Sequence, residues 1–97
     1  MKRNESSSEI IKEITKESEG ITYRYILRAS TSKRVASFHI PLYSIEVQMN
    51  KDGTITSNSI EDVFSDIGKA SVFFGRLVDN LATPIDLTYI LEDKITL

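Results

Sequence analysis

The stretch Ser65 to Ile95, SDIGKASVFFGRLVDNLATPIDLTYILEDKI, decides the fold because it predicts two consecutive helices. At its centre, Thr83-Pro84-Ile85-Asp86 combines a threonine that can cap the next turn, a proline at the first helical position and an aspartate at the third. Apolar residues follow helical spacing on both sides of this joint: Ile67, Ala70, Phe74, Leu77, Val78 and Leu81 before it, and Leu87, Ile90, Leu91 and Ile95 after it. We therefore expect one helix that begins at Ser65 or Asp66 and a second that follows a short joint.

The residues before this stretch alternate between apolar and polar side chains, as β-strands do. Ile21 to Ala29 is the clearest strand, and one of its faces carries only apolar side chains: Ile21, Tyr23, Tyr25, Leu27 and Ala29. The other face carries Thr22, Arg24, Ile26 and Arg28. Glu9 to Glu19 fits helical spacing as well as alternation. We favour a strand there, because Glu19-Gly20 then forms a hairpin turn into the next strand.

A long extended segment from Ala36 to Met49 changes the parity of its apolar residues midway. Phe38 and Ile40 share one phase, and the later residues share the other: Tyr43, Ile45, Val47 and Met49. Because proline lacks the ladder N–H, we expect a bulge or break near Ile40-Pro41-Leu42. Asn50-Lys51-Asp52-Gly53 then predicts a turn, and Thr54 to about Val63 a fourth strand.

Together these elements predict an α+β fold: an antiparallel β-meander of three to four strands with two C-terminal α-helices packed on one face. Residues 1–8 are polar and serine-rich and predict a flexible tail, which leaves residues 9–97 as a single domain. The expected core joins both layers: Tyr23, Tyr25, Leu27, Ile45 and Val47 from the sheet, and Phe74, Leu77, Val78, Leu81, Leu87 and Leu91 from the helices.

The composition of the 97 residues, 40% hydrophobic and 27% charged, is typical of one folded domain. A formal net charge of −2 gives no general attraction to nucleic acid or anionic lipid. The absence of cysteine excludes disulfides, thiolate metal sites and cysteine nucleophiles. No apolar run approaches the ~20 residues of a membrane span, and Met1 to Glu9 lacks the apolar segment of a signal peptide. We therefore expect a cytoplasmic protein.

No catalytic, metal or cofactor site is predicted. His39 is the single histidine, and with no second imidazole or thiolate it is expected to be a solvent-facing strand residue. The carboxylate pairs Glu61-Asp62 and Glu92-Asp93 are adjacent in sequence, and adjacent helical residues diverge by about 100°. The glycines are isolated, so no phosphate-binding loop is present. We expect a protein that is not an enzyme.

A basic cluster gives one binding hypothesis. Arg24 and Arg28 share a strand face, and Lys33 and Arg34 follow in the next loop, so the four residues could bind an anion or nucleic acid. The neighbouring tyrosines lie on the opposite strand face and cannot stack bases beside the arginines. The competing interpretation is an exposed sheet face balanced by nearby acids.

A second stripe on the first helix, Gly68, Val72, Gly75 and Asp79, gives another hypothesis. Glycine inside a helix costs about 1 kcal/mol relative to alanine, so a close contact is expected there. One interpretation is packing of the second helix against the glycines. The other is a surface for a partner or a second copy of the chain, to which Phe73 and Tyr89 contribute.

The segments LYSIEVQ, IEDVFSD and FFGRLVDNLATPIDLTYILEDKI lie between Pro41 and Ile95. They resemble a family of small uncharacterised proteins from Clostridia and related Firmicutes. That family has a Tyr-x-Ile-x-Val strand (Tyr43 to Val47 here), a helix, and a Pro-x-x-Leu motif (Pro84 to Leu87) that leads to an acidic end at Glu92-Asp93. The resemblance implies a bacterial protein and transfers no site residues.

The leading functional hypothesis is a non-enzymatic protein-interaction or regulatory module, with an unidentified protein or a second copy as its partner. A homodimer is expected to use either an exposed strand edge or the glycine-lined helix face. The first alternative is nucleic-acid or anion binding by the basic cluster. The second is a small-ligand site between sheet and helices, lined by Tyr23, Tyr25 and Tyr43.

Overall fold

The computed structural model describes residues 7–31, 41–87 and 89. Its elements follow chain order: β1 (Ser7–Ser18), β2 (Ile21–Thr31), β3 (Pro41–Lys51), β4 (Thr54–Phe64) and helix α1 (Ile67–Asp79). The strands form one antiparallel sheet in the order β1-β2-β3-β4. The predicted α+β meander with a helix after it is therefore confirmed.

Two tight turns set the register of the sheet. Glu19 and Gly20 have φ values of 52° and 80°, and Asp52 and Gly53 have values of 55° and 85°. Positive φ at both central residues is what two-residue hairpins require, because their twist then matches that of the flanking strands. Asn50 supports the second turn, since its Oδ1 accepts a hydrogen bond of 3.1 Å from the Gly53 amide. Both predicted turns are confirmed.

β1 is a strand, as the hairpin argument favoured. Ile14 lies opposite Tyr25 and faces the core, and it is flanked on that face by Lys12, opposite Leu27, and Lys16, opposite Tyr23. The register shifts between Ile10 and Lys12, which is a β-bulge. The two lysines on the inner face explain why this sequence alternates so weakly.

β3 begins at Pro41, and from Thr31↔Pro41 to Ile21↔Lys51 its pairing with β2 has no register shift. The parity change predicted near Ile40-Pro41-Leu42 falls partly on residues 32–40, which lie outside the described residues, together with Phe38 and His39. A bulge that the sequence did not predict lies in β4, where pairing passes from Ile45↔Ile60 to Tyr43↔Phe64.

The core lies between α1 and the sheet, and α1 contacts β2, β3 and β4. It contains these buried residues: Tyr23, Tyr25, Leu27, Tyr43, Ile45, Val47, Ala70, Phe73, Phe74, Leu77, Val78, Ala82 and Leu87. Leu81 is partly buried against this cluster, and Leu91 lies outside the described residues. The predicted core is therefore confirmed for every other residue that was named.

The buried face of α1 corrects two assignments. Phe73 was expected on an exposed surface, but it is 3% exposed and packs with its ring 5.3 Å from that of Phe64. Ile67 was expected in the buried stripe, but it is exposed. Ile67 points in the same direction around the helix axis as the buried residues. It is the first residue of α1, however, so it lies at the end of the helix and stays exposed.

The end of α1 is closed by a tight hydrogen-bonded motif. Ala82 N–H donates to the Leu77 carbonyl at 3.0 Å, and Leu81 N–H donates to the Val78 carbonyl at 3.2 Å. This pattern is the Schellman motif, in which the residue after the helix C-cap adopts the left-handed conformation. Leu81 follows the cap and has a φ of 50°. The chain therefore turns sharply back toward the sheet at Leu81.

The cap predicted at Thr83 is present, while a second helix packed on the sheet stays a prediction. Asp86 N–H donates to Thr83 Oγ1 at 3.2 Å, and Thr83 N–H donates to Asp86 Oδ2 at 3.1 Å, so the two residues cap the turn reciprocally. The backbone is helical from Pro84 to Leu87 and again at Tyr89. Ile90, Leu91 and Ile95, which were predicted to continue the apolar stripe, lie outside the described residues.

Candidate functional site

The arginines of the basic cluster lie on the outer face of the sheet, which α1 does not cover. Arg24 donates through Nε to Glu13 Oε2. Arg28 donates through Nη1 to Glu46 Oε1 at 2.6 Å, and Gln48 Nε2 donates to the other oxygen of that carboxylate at 2.9 Å. Each arginine is therefore paired with an acid on a neighbouring strand. Lys33 and Arg34 lie outside the described residues.

Glu46 is held in its charged form by this arrangement. The hydrogen bond from Gln48 is the largest cause that lowers the pKa of Glu46, and the hydrogen bond and charge of Arg28 add to it and outweigh burial, which raises the pKa. Because the carboxylate stays ionised beside Arg28, the charges of the pair cancel at neutral pH. This arrangement matches the interpretation of a sheet face balanced by nearby acids.

Ile26 is buried on this same outer face, with 1% of its surface exposed. Its cross-strand partners are Glu13 on β1 and Glu46 on β3, the acids of the two ion pairs. Long polar side chains can cover an apolar residue with their stems while their charged ends stay in water. The sequence placed Ile26 on the polar face but did not reveal that it would be buried.

The three tyrosines proposed to line a ligand site are core residues. Tyr25 is fully buried, and its hydroxyl donates to the Ala82 carbonyl at 2.8 Å. Burial, followed by the nearby Tyr23 and Asp86, raises the pKa of Tyr25 to about 12. Tyr23 stacks beside it with ring centroids 6.4 Å apart. The hydroxyl of Tyr25 therefore fixes the helix joint to the sheet.

The glycine stripe of α1 faces away from the sheet. At 100° per residue, Gly68, Val72 and Gly75 lie roughly 130–170° from the centre of the buried face. A Cβ atom added at Gly75 would meet no atom of the described residues within 4 Å. Gly68 has a different reason to be small: an added Cβ would lie 3.2 Å from Oδ1 of Asp66, the helix cap that accepts from the Gly68 amide at 2.8 Å.

Close packing of a second helix on the glycines is therefore not seen among the described residues. Large apolar side chains are instead exposed on the helical layer: Val72 is 59% exposed, Ile85 66% and Tyr89 64%. Ile85 and Tyr89 are four residues apart and share one face of the helical segment that begins at Pro84. Exposed apolar side chains of this size are typical of protein-binding surfaces when they lie close together.

In the acidic pair Glu61-Asp62, the second residue has a structural role in the β4 bulge. Asp62 has a φ of 55°, its N–H donates to Ser44 Oγ at 2.8 Å, and its Oδ1 accepts from Ser30 Oγ at 3.1 Å. In the part of the chain that the structure describes, no group of three or more histidine or acidic side chains could hold a metal ion. Glu92-Asp93 lies outside that part.

Over residues 7–31, 41–87 and 89, no helix is long and apolar enough to cross a membrane. The geometry thus defines a small α+β protein with one sheet face covered by a helical layer and the other carrying paired charges. A family model matches residues 2–97, and the chain belongs to that family, which is described as a family of unknown function (DUF6514). No curated protein and no solved structure matches the chain. The resemblance to an uncharacterised family is therefore confirmed, while its range among Clostridia and other Firmicutes stays a prediction.

Proposed function

We propose that this protein is a non-enzymatic interaction module that binds another protein through its helical surface, defined as Gly68, Val72, Gly75, Ile85 and Tyr89. The observation that carries the proposal is the exposure of Val72, Ile85 and Tyr89, between 59% and 66%. Burial of such side chains supplies most of the energy of protein association, and tyrosine is enriched at the residues that dominate it. Phe73, which was first included in this surface, is excluded because it lies in the core.

The proposal includes a second helix that starts at Pro84 and packs on the same sheet face as α1. The reciprocal cap between Thr83 and Asp86 supports it, because such caps satisfy the first amides of a helix. Leu87 is fully buried while Ile85 is exposed, which is the pattern of an amphipathic helix. The proposed setting is the cytoplasm of a bacterium, as the family resemblance implies.

The outer sheet face gives less support to nucleic-acid or anion binding. Phosphate recognition needs cations whose charge is available to the ligand. Arg24 and Arg28 are instead paired with Glu13 and Glu46, so an acid of the protein itself already offsets the charge of each arginine. We therefore place a protein partner before a nucleic acid.

A capture experiment with matched variants tests the proposal. The tagged protein would be used to isolate partners from cells of its source, and each partner would then be purified and its affinity measured. Val72→Ser combined with Tyr89→Ser should weaken binding by about tenfold or more, because residues that dominate an interface cost at least 1–2 kcal/mol when truncated. Ile10→Ser is the control: it makes the same kind of change at an exposed isoleucine on β1, and it should leave the affinity unchanged.

Equal loss of affinity in both variants, or no partner that binds when purified, would contradict the proposal. Nucleic acid is tested in parallel with labelled oligonucleotides at ~150 mM salt, where weak non-specific contacts are screened. Micromolar binding there, abolished by Arg24→Gln with Arg28→Gln, would favour the basic cluster over the helical surface.

A further inference from the structure

The two hairpin turns of the sheet share one backbone geometry and differ in the length of one side chain. Their φ values are 52° and 80° at Glu19-Gly20, and 55° and 85° at Asp52-Gly53. At both glycines an added Cβ atom would meet nothing within 4 Å beyond the adjacent residues. The carboxylate that precedes the glycine is one methylene shorter in the second turn. The two turns therefore isolate what that methylene does to the chemistry of the chain.

The shorter side chain of Asp52 can form a cyclic imide with the next backbone nitrogen. A bond from the Gly53 nitrogen to Asp52 Cγ closes a five-membered ring, whereas the same bond at Glu19-Gly20 would close a six-membered ring, which forms more slowly. Glycine also carries no Cβ that would hinder the closing ring. Asp52 and Gly53 are both exposed, so water reaches the turn. Asp52 is the only aspartate in the sequence that precedes a glycine, and no asparagine does so.

We propose that Asp52 is a site of spontaneous isomerisation to isoaspartate, a reaction that needs water and no enzyme. The Gly53 nitrogen bonds to Cγ of the neutral Asp52 carboxyl, and the amide proton leaves with the carboxyl hydroxyl as water. One water molecule then opens the resulting succinimide. Attack at the former side-chain carbonyl regenerates aspartate, and attack at the former backbone carbonyl gives isoaspartate. One water is released and one is consumed, so nothing is oxidised or reduced and the mass is unchanged.

Asn50 restrains this reaction. Its Oδ1 accepts a hydrogen bond of 3.1 Å from the Gly53 amide, the group that must lose its proton and turn toward Asp52 Cγ. This bond is exposed, and at the surface water competes for both partners, so a hydrogen bond there adds little net stability. Asn50 therefore slows ring closure without preventing it.

Isoaspartate changes the sheet next to the turn. The chain then runs through Cβ, which adds one atom to a two-residue turn whose twist depends on positive φ at both positions. The pairs Lys51↔Thr54 and Asn50↔Ile55 adjoin this turn and should lose their protection from hydrogen exchange first. The turn belongs to the sheet, so this inference does not depend on binding by the helical surface.

Ageing of the purified protein at neutral pH tests the proposal. Isoaspartate would be measured by transfer of a labelled methyl group with an isoaspartyl carboxyl methyltransferase, and its position would be found by peptide mapping. It should accumulate at position 52 in the folded native protein, and Asp52→Glu should reduce it to background. The urea-unfolded chain is the control that shows the assay detects the product. A folded native protein that accumulates none at position 52 would overturn the proposal.

Two further variants test the structural argument, with circular dichroism to show that each is folded. Asn50→Ala should accelerate isomerisation by about two- to tenfold, which corresponds to the net free energy of one hydrogen bond. Glu19→Asp gives the first turn the same Asp-Gly pair, and isoaspartate should then also appear at position 19. An unchanged rate in Asn50→Ala would overturn the role assigned to Asn50, and no product at position 19 would overturn the argument from side-chain length. Partner capture is measured separately, so this proposal and the proposed function fail independently.

Discussion

The two faces of β2 bury their residues by different means. Tyr25 and Leu27 point to the inner face and lie under the helical layer, whereas Ile26 points to the outer face, where Arg24–Glu13 and Arg28–Glu46 flank it. All three are at most 1% exposed. The inner cover consists of packed backbone and apolar side chains, while the outer cover consists of the stems of paired ionic side chains. A sheet with a single helical layer can therefore hide one central isoleucine on its open face without a further layer.

The largest expected effects compare these two covers. Leu27→Ala should lower the free energy of unfolding by about 3–5 kcal/mol, the range for a cavity under a rigid core. Ile26→Ala should cost about 2 kcal/mol, because the ionic side chains can settle into the space and water can enter. Urea denaturation of both variants measures the difference. Equal losses would mean that the outer cover is as rigid as the helical layer.

Tyr25→Phe removes the hydrogen bond that joins the inner face to Ala82. Leaving a buried carbonyl without its partner should cost about 1–2 kcal/mol at neutral pH. Burial is the main cause that raises the pKa of Tyr25 from 10.0 to about 12. Because the folded pKa exceeds the unfolded one, this contribution to stability is complete below pH 10.0 and is lost as the pH rises toward about 12. As the pH rises across that range, the free energy of unfolding should fall more steeply for the native protein than for Tyr25→Phe.

Two substitutions of Arg28 distinguish the contribution of its charge to stability from the contribution of its packing over Ile26. Arg28→Ala removes the stem beside Ile26 and should cost about 1 kcal/mol, while Arg28→Met keeps an apolar stem and should cost about 0.5 kcal/mol or less. Thermal melts at low and high salt measure both, and only the small ionic part should depend on salt. Equal losses of stability in the two variants would show that the ion pair, not the stem, protects Ile26.

Gly75→Ala is the smallest expected change and has the opposite sign. The stripe on α1 was predicted to benefit from close contact, but an added Cβ meets no described atom within 4 Å. The higher helix propensity of alanine should then raise stability by about 0.5–1 kcal/mol. Denaturation of the isolated protein tests this. A loss of stability would indicate that residues outside the described ranges, or another copy, pack against position 75.

The parts of the fold that the sequence predicts well are those set by neighbouring residues. The turns at Glu19-Gly20 and Asp52-Gly53 and the cap at Thr83 depend on local backbone geometry, and each was predicted from a few residues. The face assigned to Ile26 was also right, but alternation reports only a direction, not what lies above it. Its burial depends on acids from two other strands, which no local pattern reveals.

The candidate surface shows the same limit on the helix. Helical spacing left Phe73 out of the predicted buried stripe, yet the ring of Phe64 extends the buried face to reach it. Gly68 and Gly75 look alike in the sequence, but one lies against the Asp66 cap and the other faces open space. The bulge at Asp62 was missed because its partners, Ser30 and Ser44, come from distant positions.

The chain order of the fold has a consequence for synthesis on the ribosome. The strands are neighbours in sequence, so each can pair with the one before it as soon as it emerges, and the four described strands have all been synthesised at Phe64. Its cover comes later: the bond from Tyr25 to Ala82 spans 57 residues. A nascent chain that stops between these points exposes an apolar sheet face to water. Slow translation across α1 should therefore prolong exposure of that face to chaperones and to other nascent chains.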